Sequence, residues 1–197
     1  MLPCTLSLQR IRKQWHISTI MHISHKTNTL SSTPAVVIFG CGNVLLGDDG
    51  FGPAVITRLL DFNLPASVST VDVGTGIREY LLDYLMLPEL RPAFLIVIDV
   101  DVEGDGPPGE VRVCSPVDLP ARKIHDFSLH QFPTVNLLRE LQEVTGVPVA
   151  VLLARPPVPM DGFGLELSPV IAAAVEPACQ QICRLIAPFV APEAVLS

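Results

Sequence analysis

From Ala35 onward, short unbroken hydrophobic runs alternate with runs whose apolar positions recur every three to four residues. Ala35–Phe39 is apolar throughout, which predicts a buried strand. Gly52–Phe62 then places Val55, Ile56, Leu59 and Leu60 on one side of a helix, with Pro53 in its first turn, where a missing N–H is tolerated. Val68–Val73 reads as a second strand, followed by the turn Gly74-Thr75-Gly76 and by helical spacing at Ile77, Tyr80, Leu81, Tyr84 and Leu85. Phe94–Val100 is a third, continuously apolar strand, and Val111–Cys114 is short enough to be an edge. Val135, Leu138 and Leu141 predict a helix over Pro133–Glu143, and Val147–Ala154 reads as the last strand. Ser168 is a suitable N-cap with Pro169 at the first helical position, for a helix to about Phe189 that Pro177 should kink.

The alternation predicts an α/β fold, a three-layer α/β/α sandwich. Its single doubly wound, mostly parallel twisted sheet has about five strands and an antiparallel edge strand. One domain spans residues 35–190, with no internal repeat. If the strand order begins 2-1-3, strands 1 and 3 are neighbours, and their carboxyl ends flank the crevice where ligands bind in open sheets.

Composition changes the picture at the N-terminus. Residues 1–34 carry Arg10, Arg12, Lys13 and Lys26 and no acid, so this segment is +4. The chain as a whole is −7, which leaves −11 on the remainder. An acidic body argues against nucleic acid and anionic membrane surfaces as partners and suits a basic peptide better. The first 34 residues lack a signal-peptide apolar core and read as a poorly ordered extension. Two origins stay open for it: a transit-like segment, or a start codon assigned too far upstream. No apolar run approaches the ~20 residues of a membrane helix. The five cysteines form no CxxC pair, so a reducing, cytoplasmic setting is the default. Cys179 and Cys183, four apart, read as core residues.

Candidate chemistry concentrates in the turn after the first strand. Gly40-Cys41-Gly42-Asn43-Val44-Leu45-Leu46-Gly47-Asp48-Asp49-Gly50-Phe51-Gly52 occupies the place of a phosphate-binding loop, yet it presents two adjacent carboxylates. The dinucleotide fingerprint needs a third glycine at position 45, which is Leu45. No Walker A sequence or GxSxG elbow occurs, and the body has no HExxH helix. Asp49 past strand 1, Asp99 at the end of strand 3, and His130 in the loop Asp126-Phe127-Ser128-Leu129-His130 could converge as a three-ligand site for Zn²⁺, Ni²⁺ or a similar ion. On residue types and spacing alone, solvated loop or capping groups are the better reading of the acids, and a helix-capping loop histidine is as good a reading of His130. A Cys41–His130 nucleophile pair is the other option. A small side chain beside close backbone is the better reading of Cys41, because nothing basic adjoins it.

Five ordered motifs carry a family resemblance over about Ala35 to Ile186. The glycine-rich turn, Asp72-Val73-Gly74-Thr75-Gly76, Ile98-Asp99-Val100-Asp101 with Pro108-Gly109-Glu110-Val111, Ser128-Leu129-His130, and Gly164-Leu165-Glu166-Leu167-Ser168-Pro169 resemble in turn those of one family. It is the hydrogenase maturation endopeptidases (peptidase family M-fifty-two), the nickel-dependent proteases of the nickel–iron hydrogenase large subunit. The Asp72–Gly76 turn and the run from Asp126 to Leu138 resemble most the branch serving deazaflavin (coenzyme F-420) reducing hydrogenases.

The resemblance implies that Asp49, Asp99 and His130 are both catalytic and metal-contacting. Many relatives have Glu where this chain has Asp49. It also implies that the Ni²⁺ arrives with the substrate, the large-subunit precursor, whose C-terminal extension is then removed. No tightly held cofactor is expected, and a monomer is. Gly42, Asn43, Gly74 and Thr75 are candidate contacts for the extended tail. Two alternatives remain open: a non-cleaving nickel-checkpoint protein of the same fold, and a nucleotide-binding module.

Overall fold

The unbroken apolar runs become the inner strands of one sheet, because a parallel strand covered on both faces has no solvent side to keep polar. In the computed structural model, residues 33–102, 105–119, 134–157 and 164–190 are described. Strands β1 (Val36–Cys41), β3 (Phe94–Val100) and β5 (Val149–Ala154) are buried almost throughout. β2 (Val68–Gly74) and β4 (Val111–Cys114) are half exposed, as edges are. Among the described residues the sheet order is β2-β1-β3-β5-β4. All pairs are parallel except β4 with β5, so the expected 2-1-3 opening and the antiparallel edge are both present.

Alternation along each strand divides the core in two. Val36 and Ile38 of β1, Ile96 and Ile98 of β3, and Leu152 of β5 face α1 (Phe51–Leu59) and α4 (Pro169–Ile186). Val37 and Phe39, Leu95 and Val97, and Val151 and Leu153 face α2 (Ile77–Met86) and α3 (Thr134–Thr145). Phe39 stacks on Tyr84 of α2 with ring centroids 6.1 Å apart. These two layers over one sheet complete the three-layer sandwich.

Helix boundaries follow local chemistry. α4 starts where Ser168 Oγ accepts the Ile171 N–H at 3.4 Å, with Pro169 directly after the cap. It continues through Pro177 without ending there. With the turn after it, Pro169–Phe189 is long and apolar enough, by length and composition, to cross a membrane. This corrects the sequence reading, which found no such stretch because Glu176 and Arg184 interrupt the linear run. Winding as a helix gathers Ile171, Ala174, Ala178, Cys179, Ile182 and Ile186 onto one stripe, and that stripe packs into the core.

Cys179 is fully buried, with its thiol toward the Val55 carbonyl, and burial pushes its pKa up to about 11. The core reading of this residue therefore stands. In the native protein Cys179 should resist iodoacetamide at pH 8, as read by peptide mass, and react once the chain is unfolded. Because the folded pKa is the higher one, this thiol's contribution to stability is complete below the ordinary thiol pKa and is lost as pH rises toward 11.

Candidate functional site

The carboxyl end of β1 runs into a turn that is built on its own backbone. Gly42 has φ of 125°, and a β-carbon there would overlap the Asp49 carbonyl oxygen. Only glycine meets both conditions. A β-carbon at Gly52 would lie 2.6 Å from Cys41 N and 2.9 Å from Ile98 O, so the start of α1 rests directly on the ends of β1 and β3. Gly40 pairs with Ile98, which brings Asp99 level with the beginning of the turn.

Asp49 sits in the single 3-10 turn Gly47–Gly50 that leads into α1. Its Oδ2 accepts the Asn43 N–H at 2.6 Å, which fixes the plane of the carboxylate. Asn43 in turn uses its side-chain oxygen on the Leu45 N–H at 3.0 Å, closing an Asx turn. Asp99 is half-buried near the end of β3, and its Oδ1 accepts the Val100 N–H at 2.8 Å. Each acid thus has one oxygen oriented by backbone, Asp49 in the turn after β1 and Asp99 near the end of the neighbouring strand β3.

The second glycine turn closes the other wall. Gly42 N–H donates to the Gly74 carbonyl at 3.0 Å, and Asp72 Oδ1 accepts the Gly74 N–H at 3.0 Å. Thr75 follows, exposed. Gly42 and Gly74 are therefore neighbours, with Asn43 and Thr75 next to them in the chain. His130 lies outside the described residues. Among the described residues no group of three His, Cys, Asp or Glu side chains could hold an ion.

Asp48, the neighbour of Asp49, has a separate task. It is buried, and its Oδ1 accepts the Ser168 N–H at 2.6 Å, tying the turn to the cap of α4. A parallel bridge between Leu46 and Gly164 joins the same two segments. This tie spans 120 positions, so no spacing rule could have found it, although Ser168 and Asp48 were each conspicuous. Asp48→Ala should leave the Ser168 N–H unpaired and cost about 1–3 kcal/mol. A urea titration would read this as a lower midpoint with an unchanged slope.

The sequence reading gave Asp101 a place in a motif and passed over Arg112 and Arg155. Asp101 is buried, ion-paired with Arg112 of β4, and its carbonyl accepts Arg155 Nη1 at 2.8 Å. These contacts cross three strands and have no local signature.

A doubly wound sheet with two backbone-oriented carboxylates and glycine turns at the carboxyl ends of β1, β2 and β3 defines an α/β protein with an acidic candidate site at its switch point. It is not the geometry of a phosphate binder. Residues 53–185 match the hydrogenase maturation protease family. The chain is 31% identical over 152 residues to the coenzyme F-420 hydrogenase subunit delta of Methanothermobacter thermautotrophicus, covering 75% of this chain and 91% of that one. It is 30% identical over 146 residues to the hydrogenase 3 maturation protease of Escherichia coli K12, covering 74% and 87%. Among solved structures it is similar to the hydrogenase maturating endopeptidase HybD of E. coli, with a TM-score of 0.61, 25% identity, and 77% and 91% coverage. The chain belongs to the hydrogenase maturation protease family, and is thus a hydrolase of the endopeptidase type.

Proposed function

We propose that this protein removes the C-terminal extension from the precursor of a nickel–iron hydrogenase large subunit, and does so only when nickel is already in place. The observation that carries the reading is the pair Asp49 and Asp99, oriented by backbone N–H groups at the ends of neighbouring strands β1 and β3. Two carboxylates of this kind suit a divalent ion, and His130 would supply an imidazole as third ligand. The Ni²⁺ belongs to the substrate, and the protein holds no cofactor of its own.

Three protein ligands leave coordination positions for groups of the precursor, so the site tests whether metal is present. A metal held there can act as a Lewis acid on the scissile carbonyl or lower the pKa of a water. The chain's own residues orient these groups: Asn43 N–H sets the Asp49 carboxylate, and Gly42 and Gly74, hydrogen-bonded to one another, put no side chain in the way of an extended tail. The likeness to the F-420 hydrogenase subunit delta supports a deazaflavin-reducing hydrogenase as the source of the precursor.

The test is the mass of the purified precursor before and after incubation, with and without nickel. The nickel-loaded precursor should lose its extension and the nickel-free one should not. Unchanged mass of the loaded precursor, with the two proteins still bound to one another, would favour a checkpoint that does not cut.

A further inference from the structure

A shallow recess open to solvent, with enclosed room for no more than about one water molecule, lies two strands across the sheet from Asp99 and is lined by Asp101, Gly106, Glu110, Arg112, Leu153 and Arg155. We propose that this recess is a subsite for the substrate's tail, in which Arg155 binds a carboxylate. The proposal rests on the endopeptidase reading above and names a residue that determines which tails are accepted.

Position is the first argument. Along β3, residues 95 and 97 face the α2/α3 layer, so Asp99 and Asp101 follow on that face. Asp99 pairs with Leu153 of β5, which pairs with Arg112 of β4. Strands lie about 4.8 Å apart, so Arg112 is roughly 10 Å from Asp99 across the sheet. An extended peptide covers that distance in about three residues. A tail lying over the carboxyl ends of the strands, from the crevice toward β4, reaches the recess within a few residues of the scissile bond.

Charge is the second argument. Arg112 is spent on Asp101, which neutralises the most buried acid of the recess. Arg155 is half-buried, and among the described residues it makes no ion pair. Its guanidinium donates Nη1 to the Asp101 carbonyl at 2.8 Å. Its backbone is held on both sides, by the Gly109 N–H to its carbonyl at 2.7 Å and by its own N–H to the Glu110 carbonyl at 2.9 Å. A half-buried cation with no ion pair among the described residues costs stability. One so firmly placed, with guanidinium donors beyond the one used, suits a carboxylate, which a guanidinium binds through two parallel hydrogen bonds. Glu110 is exposed on the lip, against Gly106, and opposes an incoming anion. It therefore gives the proposal a sign that can be checked.

The experiment measures kcat and KM for shortening of the nickel-loaded precursor. Arg155→Gln should raise KM about tenfold or more, the size of a hydrogen-bonded charge pair, with kcat within about twofold. Glu110→Gln should lower KM. With the wild-type protein, tails altered either by a C-terminal amide or by Asp/Glu to Asn/Gln exchange should show the same rise in KM for one alteration. That alteration identifies the main-chain or side-chain carboxylate, and it should have no further effect on Arg155→Gln. The tail arms carry the test alone if Arg155→Gln does not fold. Unchanged KM for both tail alterations, additive effects, or a rise in KM with Glu110→Gln overturns the subsite. Failure of the wild-type protein to shorten any precursor overturns the endopeptidase reading instead.

Discussion

Asp49→Asn is expected to stop removal of the extension while leaving the protein folded. The asparagine oxygen can still accept the Asn43 N–H that orients Asp49, so the turn keeps its shape. What would be lost is the negative charge offered to the proposed metal. A ligand's share of metal-assisted chemistry is several kcal/mol, and at about 1.4 kcal/mol per factor of ten this is a loss of roughly a thousandfold or more. Asp99→Asn and His130→Ala belong with it. Asp48→Asn is the adjacent control: its oxygen can still accept the Ser168 N–H, and it faces α4 rather than the crevice. The precursor's mass over time, alongside a melting curve for each variant, reads the contrast. Wild-type processing by Asp49→Asn, or a folded but inactive Asp48→Asn, would show that the ligand assignment has the wrong carboxylate.

Gly42→Ala should unfold the turn rather than adjust it. Two costs add at this position. The backbone has φ of 125°, where a side chain is strained by about 1–3 kcal/mol. The new methyl would also overlap the Asp49 carbonyl, a backbone group that cannot swing aside, at a further cost of about 1–3 kcal/mol. The sum, about 2–6 kcal/mol, is a large part of a domain's total of about 5–15 kcal/mol. The melting temperature should fall by about 5–20 °C, and processing should fail because relief of the overlap moves Asp49. A melting temperature within about two degrees of wild type would mean that the turn is looser than its geometry implies.

How far the sequence could be read differs between fold and site. β3 and β4 fall on the predicted residues, because a continuous apolar run and a short edge segment each have one good interpretation. β1 continues two residues beyond the predicted Phe39, through Gly40 and Cys41. Glycine there looks like the start of a loop, whereas the ladder to β2 continues through a register shift to Gly74. α3 runs from Thr134 to Thr145, two residues past the predicted Glu143, and ends at Gly146, whose φ of 73° suits a helix stop. Such boundaries depend on hydrogen bonds to distant partners, which periodicity does not report.

The candidate acids were legible because two carboxylates in a glycine turn conflict with the usual phosphate chemistry of that place. Residue type alone did not show their difference, and only the family resemblance singled out Asp49. Asp48 and Asp49 are neighbours in sequence and alike in chemistry, and only the fold turns one toward the Ser168 N–H and the other toward Asn43. The Arg112–Asp101–Arg155 group was hidden for the same reason. Its members lie in β4 and directly after β3 and β5, and meet only through β3–β5 and β5–β4 pairing.

The sequence by itself therefore determined the layers, the strand types and the turn that carries the acids, since these follow from local periodicity and glycine placement. Tertiary structure alone decided what Asp48 is tied to, how closely α1 sits on the ends of β1 and β3, and where Arg155, which makes no ion pair among the described residues, meets Asp101. Those outcomes are set by hydrogen bonds and contacts between segments far apart in the chain, and such contacts exist only once the sheet has assembled.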